Sequence, residues 1–253
     1  MAEQSSRRGA VVITGASTGI GHASALDLDS RGFRVFAGVR RDEDAERLRA
    51  DSVDVVTLDR APGCDHQVDL RTDDLPPLDD VDVCVSNAAI TNTIAPAHRM
   101  SDEQWRRDVD VNLTGAFRAV QATLAGMRER GYGRIVVISS AAATTGLPGQ
   151  VAYTASKAGL IGMVKTLAAE NAGHGITANA VLPGMIATEA VKAMPPEILE
   201  RVTASQATGR LGEPDEVAAL VAYLASRDAG YVTGQAIAID GGFGLNTLSI
   251  TAG

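Results

Sequence analysis

The chain is short of aromatic residues and of cysteine, and it has neither a basic tract nor a long apolar run. Aromatics make up 4% of 253 residues, so aliphatic side chains and alanine must fill the core. The two cysteines, Cys64 and Cys84, form no CxxC pair and have no metal-like spacing. That excludes a disulfide scaffold and a cysteine-based metal centre, and it fits free thiols in a reducing compartment. Lys and Arg total 23 against 31 Asp and Glu, a formal net charge of −8. An acidic chain without a basic tract is a poor partner for nucleic acid or an anionic membrane. No run approaches the roughly 18 apolar residues of a membrane span. Met1 to Arg8 is polar and lacks the apolar stretch of a secretory signal. The expectation is a soluble, cytoplasmic protein with no metal, no nucleic-acid partner and no membrane partner.

What is present is an ordinary globular composition, 45% hydrophobic and 21% charged. Short apolar runs alternate with longer amphipathic stretches along the whole chain. Ala10–Thr14, Arg34–Val39, Val53–Leu58, Val81–Val85, Arg134–Ser139, Ile176–Val181 and Gln235–Ile239 read as seven strands. Helical stretches lie between them: one reaching Ser30, then Asp42–Ala50, Asp102–Arg130 (two helices), Val151–Asn171, Ala187–Ser205 and Pro214–Ala225. Glu213-Pro214-Asp215-Glu216 opens the last of these well, with proline and acids in the first turn. Strands that are continuously apolar and alternate with helices imply a parallel sheet covered on both faces. The expected fold is α/β: a Rossmann-type, doubly wound, seven-stranded parallel sheet flanked by helices. Ligands of such sheets bind beyond the carboxyl ends of the strands. There is no internal repeat and no linker, so residues 1–253 form one expected domain, with a substrate site built from its C-terminal half. Arg60–Asp80 departs from the pattern, because Pro62, Gly63, Pro76 and Pro77 leave no room for a long helix.

Thr14-Gly15-Ala16-Ser17-Thr18-Gly19-Ile20-Gly21 joins the first strand to the first helix. Glycines let the backbone turn tightly and approach a pyrophosphate, while a helix N-terminus offers free N–H groups and positive potential. Tyr153 and Lys157 stand four apart near the start of a long helix and so share a face. A free tyrosine has a pKa of about 10, and a neighbouring ammonium lowers it towards the range useful for proton exchange.

The TGxxxGxG spacing resembles the short-chain dehydrogenase/reductase family, and the resemblance runs from Val11 to about Gly242. It implies a nicotinamide dinucleotide on Gly15, Ser17, Thr18, Gly19, Ile20 and Gly21. The end of the second strand, where an acidic residue would bind the ribose 2′-hydroxyl of NAD, is occupied by Gly38. Arg40 and Arg41 follow and suit a 2′-phosphate, so NADP is the expected cofactor. NAD remains the alternative, since Thr18 stands where many NADP-using relatives carry a basic residue and the arginines also face Asp42, Glu43 and Asp44. Asp69-Leu70 matches the pair that holds adenine in the family, with Asp59 as its rival. Val85-Ser86-Asn87-Ala88-Ala89 resembles the family's Asn-Asn-Ala-Gly segment after the fourth strand, altered at both ends, with Ser86 in place of the first asparagine and Ala89 in place of the glycine.

The resemblance also implies a catalytic set. Ser140 stands thirteen residues before Tyr153, the family's spacing, and would hold the substrate oxygen. Asn112, in Asp110-Val111-Asn112, matches the asparagine that supports a water-linked proton path from Lys157, and Lys157 would also bond the nicotinamide ribose. Pro183-Gly184-Met185-Ile186-Ala187-Thr188 resembles the segment packed on the nicotinamide, with Ile186 and Thr188 reaching its carboxamide. Gly146–Gln150, Ser156–Leu160 and Val232–Gln235 are most similar to bacterial 3-oxoacyl-thioester reductases and polyketide ketoreductases. The implied activity is NADPH-dependent reduction of a 3-oxoacyl thioester or related ketone, with acyl carrier protein as one carrier of it. His174 stands where carrier-dependent members often have a basic residue, with Arg128 and Arg130 as a docking patch or a solvated helix end. Free alcohols, sugars and polycyclic ketones stay open, as does a non-catalytic NADP-binding regulator. Relatives usually form homotetramers, and the apolar Ala218–Leu224 helix with Ala236–Ile239 fits a buried subunit contact.

Overall fold

The computed structural model describes residues 9–39, 41–51, 55–57, 69, 78 and 80–245. Its strands are β1 (Ala10–Ile13), β2 (Arg34–Ala37), β3 (Val55–Thr57), β4 (Val81–Ser86), β5 (Gly133–Ile138), β6 (Ile176–Pro183) and β7 (Ala236–Ile239). They form a single sheet in the order β3-β2-β1-β4-β5-β6-β7, and every neighbouring pair is parallel. The expected seven-stranded doubly wound sheet is therefore observed. The order reverses between β1 and β4, so a crevice opens beyond the carboxyl ends of those two strands.

The helices are α1 (Gly19–Ser30), α2 (Asp42–Ala50), α3 (Asp102–Val109), α4 (Gly115–Arg130), α5 (Ala142–Thr145), α6 (Val151–Asn171), α7 (Glu189–Lys192), α8 (Pro196–Ala204) and α9 (Pro214–Ala225). Each face of the sheet has its own core. On one face Leu28, Leu48, Val217, Val221 and Leu224 from α1, α2 and α9 cover Val11, Ile13, Val83 and Val136. On the other, Val120, Met127, Leu160, Val164 and Leu167 from α4 and α6 cover Val12, Ile135 and Val137. Each buried Leu or Val contributes about 1.5–3 kcal/mol of transfer free energy, which compensates for the scarcity of aromatic rings.

Three local outcomes differ from the sequence reading. Asp102–Arg130 is one rod rather than two helices, because a π turn at Asp110–Thr114 joins α3 to α4 with helical backbone on both sides. Such turns commonly mark functional sites. Ala187–Ser205 is split into α7 and α8: Pro195 and Pro196 cannot continue a helix, and Pro196 starts the second one. Finally, the apolar Ala218–Leu224 stretch packs mostly within this chain, on α1. Val217, Ala218, Val221, Ala222 and Leu224 are buried there, while Ala219 and Tyr223 face outward. On the edge strand β7, Ala236 and Ala238 are exposed.

Candidate active site

The glycine turn is held by the segment after β4. Thr14 Oγ1 accepts from the backbone N–H of Asn87 and of Ala88, both at 3.0 Å. Asn87 Nδ2 donates to the carbonyls of Thr14 (3.1 Å) and Gly15 (2.8 Å). Gly15 and Gly19 have φ of +67° and +56°, in the left-handed region. A Cβ on Gly21 would lie 2.2 Å from the Gly15 carbonyl oxygen, and one on Gly19 would lie 2.9 Å from Thr188 Cγ2. The backbone therefore closes on itself at the start of α1, with Ser17 buried and Thr18 exposed as the residue before the helix. A pyrophosphate fits this cradle: it presents the first N–H groups of α1 and no acidic side chain in the first turn.

The adenosine end is framed by β2. The Gly38 carbonyl accepts from Ala16 N at 2.7 Å, and no carboxylate sits on Gly38 or Val39. Arg41 is exposed at the residue preceding α2. Arg47, on α2, donates to the Ser17 carbonyl and so places a second guanidinium on the rim of the turn. The sequence reading placed Thr14 at the head of the glycine run without giving it a role, and it did not include Arg47. Thr14 had a signal, a hydroxyl closing an apolar strand, whereas Arg47 had none because it reaches the turn only after α2 folds back. Asp69 is half-buried; Arg40, Leu70 and Asp59 lie outside the described residues.

On the other side of the crevice, the segment after β6 leans on the same turn. Pro183 ends β6, and its carbonyl accepts from Ala141 N at 2.9 Å. Gly184 is pressed against Asp240, where a Cβ would lie 2.7 Å from the Asp240 Cα. Thr188 stands over Gly19. Ile186, however, is buried and packs over Gly212, so only its backbone can face a carboxamide. Ala88 is half-buried beside Gly15, and Ala89 is exposed.

The four catalytic candidates converge at the ends of β4, β5 and α6. Ser140 follows β5, and its Oγ accepts from Ala142 N at 3.1 Å, which turns it towards the opening of α5. The Ser140 hydroxyl lies close enough to Tyr153 to lower the pKa of its phenol. Lys157 is buried, and its Nζ donates to the Ile138 carbonyl at 2.7 Å while lying 5.7 Å from the Tyr153 ring centroid. Ser139, just before Ser140, donates to the Lys157 carbonyl at 2.8 Å and ties α6 to the end of β5. Asn112, buried within the π turn, accepts from Ile90 N at 2.7 Å and donates to the Ile90 carbonyl at 3.0 Å.

The electrostatics correct one expectation. Burial pushes the Tyr153 hydroxyl above its ordinary value, and the hydrogen bond from Ser140 only partly offsets this. The expected lowering by Lys157 is not among the influences on the phenol, and the Lys157 ammonium donates instead to the Ile138 carbonyl. Lys157 is itself pushed down to about 8 by burial. A lysine in that range exchanges protons near neutrality, which ordinary lysines do not.

Arg128, Arg130 and His174 lie at the opposite, amino end of the strands. Arg128 bonds Asn171 Oδ1 at 2.7 Å and His174 Nε2 at 2.8 Å, and Arg130 bonds Asp82 and the Val81 carbonyl. Cys84 is buried in the sheet, and its thiol is pushed up to about 12, leaving it inert; Cys64 lies outside the described residues. Among the described residues no helix is long and apolar enough to cross a membrane.

With this geometry in place, similarities to known proteins bear on its meaning. A family model described as enoyl-(acyl carrier protein) reductase matches residues 15–244. The acetoacetyl-CoA reductase of Rhizobium meliloti is 44% identical over 236 residues, 91% of this chain and 96% of that protein. The crystal structure of a 3-oxoacyl-[acyl-carrier protein] reductase from Brucella melitensis superposes with a TM-score of 0.84 at 32% identity, covering 94% of this chain and 92% of that one. A putative 2-deoxy-D-gluconate 3-dehydrogenase from Agrobacterium tumefaciens, with bound NADP, gives 0.83 at 30% identity, covering 93% and 96%.

Proposed function

The chain belongs to the short-chain dehydrogenase/reductase family, and on that premise we propose that it is an NADPH-dependent reductase of 3-oxoacyl thioesters or closely related ketones. The observation that carries the proposal is the convergence of Ser140, Tyr153 and Lys157 at the end of β5, facing the glycine turn across the crevice. Gly15, Ser17, Thr18, Gly19, Ile20 and Gly21 hold the pyrophosphate, and Asn87, Ala88, Pro183, Gly184 and Thr188 line the nicotinamide half. Asp69 serves the adenine. Arg41 and Arg47 stand where a 2′-phosphate needs positive charge, and no carboxylate at the end of β2 opposes it.

When bound there, the dihydronicotinamide supplies the hydride. The Ser140 hydroxyl holds the substrate oxygen and donates to the negative charge that develops on it. Tyr153, kept protonated by burial, delivers its hydroxyl proton to that oxygen. Lys157 then returns a proton to the phenolate, its own low pKa easing the exchange, and Asn112 anchors the supply route from solvent.

The relatives named as acetoacetyl-CoA and 3-oxoacyl-[acyl-carrier-protein] reductases support a thioester substrate, delivered on coenzyme A or on an acyl carrier protein. A second reading, oxidation of a free secondary alcohol or sugar acid, has one observation in its favour, the NADP-bound neighbour named for a gluconate. A non-catalytic regulator would have no need of the assembled Ser140–Tyr153 pair. We further propose one domain working in the cytosol as a homotetramer, its contacts using the outward Ala219 and Tyr223 with Ala236 and Ala238.

The test is to titrate NADPH and NADH separately and then follow NADPH consumption with acetoacetyl-CoA. Tighter NADPH binding with turnover supports the proposal. Tight binding without turnover, followed by oxidation of a sugar acid, replaces it with the second reading.

A further inference from the structure

The segment that leaves β6 is held by backbone from two later parts of the chain. Gly184 N donates to the Ile239 carbonyl at 3.0 Å, at the end of β7. Beyond it, Gly212 takes both sides of Ile186. Its N–H donates to the Met185 carbonyl at 3.0 Å, and its carbonyl accepts from Ala187 N at 2.8 Å. A Cβ on Gly212 would lie 2.7 Å from Ile186 Cδ1, so this strap lies flat on the buried isoleucine. Thr188, two residues on, stands over Gly19 at the glycine turn.

One carboxylate grips the chain on both sides of Gly212. Glu216 Oε1 and Oε2 accept from Arg210 Nη2 and Nη1 at 2.7 and 2.8 Å, and Oε2 also accepts from Glu213 N at 2.8 Å. Arg210 Nη1 donates further to the Leu211 carbonyl at 3.0 Å. Glu213 and Glu216 also form the capping box that opens α9. That helix packs on α1, whose first turn is the glycine cradle. A continuous path of contacts therefore runs from the cradle through α1 and α9 to Glu216, Gly212 and the wall after β6.

The ion pair itself is exposed, 57% at Arg210 and 44% at Glu216. Exposed pairs contribute little to global stability, yet a forked guanidinium fixes direction as well as distance. The Arg210 fork and the Glu213 N–H hold the Glu216 carboxyl down to about 2, so the grip persists throughout the neutral range.

We infer that Glu216 and Arg210 are positioning residues for the nicotinamide half of the cofactor, and that through Gly212 they set the distance between the wall at 185–188 and the glycine cradle. They act through the backbone of Gly212. The inference rests on the reading of Thr188 and its neighbours as the wall of that half.

The test compares NADPH with adenosine 2′,5′-bisphosphate, which has no nicotinamide, in the unsubstituted protein, Arg210→Ala and Glu216→Ala. Arg210→Ala leaves the capping box of α9 in place, so its melting temperature is expected within about 3 °C of the parent. Its NADPH affinity should fall about fivefold, and the fluorescence emission of bound NADPH should move towards that of the free cofactor. Affinity for the bisphosphate should stay within about twofold. Glu216→Ala should repeat this selectivity, and the double variant should lose no more than Glu216→Ala alone. Unchanged NADPH affinity and emission in Arg210→Ala overturns the inference alone, as does an equal loss for both ligands. NADPH emission that does not change on binding to the unsubstituted protein overturns the reading of the wall, and the inference with it.

Discussion

Strand β5 has a buried cation at each end, and the two have different fates. At its start Arg134 is 4% exposed; at its finish Lys157, bonded to the last residue of the strand, is 3% exposed. Arg134 donates to three carbonyls, Ser226 (2.9 Å), Gly133 (2.9 Å) and Gly175 (3.3 Å), and lies 4.5 Å over the Tyr132 ring. Burial lowers its pKa, but a guanidinium has so far to fall that it stays charged. Lys157 bonds the Ile138 carbonyl, and burial carries it down to about 8. Similar burial thus yields a permanent staple at the amino end of the sheet and an exchangeable proton at the carboxyl end. The difference is made by the number of acceptors and by the chemistry of the two cations.

The widest separation between the two ends comes from removing Lys157. Lys157→Met is expected to cut turnover about a thousandfold by breaking proton return. The same change should stabilise the fold, because a lysine moved from 10.5 to about 8 carries a penalty on the order of 3 kcal/mol in its charged form. The folded pKa lies below the unfolded one, so that penalty is complete below pH 8 and fades as pH rises towards 10.5. Thermal melts of the two proteins should therefore differ most at neutral pH and converge in alkali. A variant that is less stable than the parent at pH 7 would contradict this.

The complementary change is Arg134→Met, which leaves three carbonyls without their donor. We expect a loss of about 2–4 kcal/mol in denaturant unfolding, with kcat within about twofold of the parent. A large loss of kcat at unchanged stability would erase the distinction between the ends. Next in size is the pH profile. Reduction consumes a proton, so kcat in that direction should fall about tenfold per unit as pH rises beyond about 8. Oxidation of the alcohol product should run the other way, and a flat profile from pH 7 to 10 would show that Lys157 does not set it. The smallest effect concerns the rim of the cofactor site. Arg47→Gln should shift the NADPH-to-NADH affinity ratio about fivefold towards NADH, read by fluorescence titration, while leaving turnover at saturating NADPH unchanged.

Most of the frame was legible because it rests on local pattern. Continuous apolar runs gave the seven strands, and α2, α6 and α9 match the expected spans residue for residue. The exceptions are where a longer-range or backbone effect decides. Nothing in the composition of Asp110–Thr114 distinguishes a π turn from the α-helix on either side, since it depends on Asn112 reaching Ile90 twenty-two residues away. The catalytic residues were legible through their spacing, but their electrostatics were not. Proximity of Tyr153 and Lys157 in sequence suggested a lowered phenol, whereas burial raises it and Ser140 only partly offsets that. The contact of Arg47 with the Ser17 carbonyl depends on tertiary folding and left no trace in spacing.

The central claim is that Tyr153 hands a proton to a carbonyl held by Ser140, so the most direct measurement is rapid-mixing reduction of acetoacetyl-CoA by Tyr153→Phe preloaded with NADPH. The account predicts NADPH affinity equal to that of the parent and reduction slower by about a thousandfold or more. Reduction at a rate near the parent's, with NADPH bound normally, would contradict it.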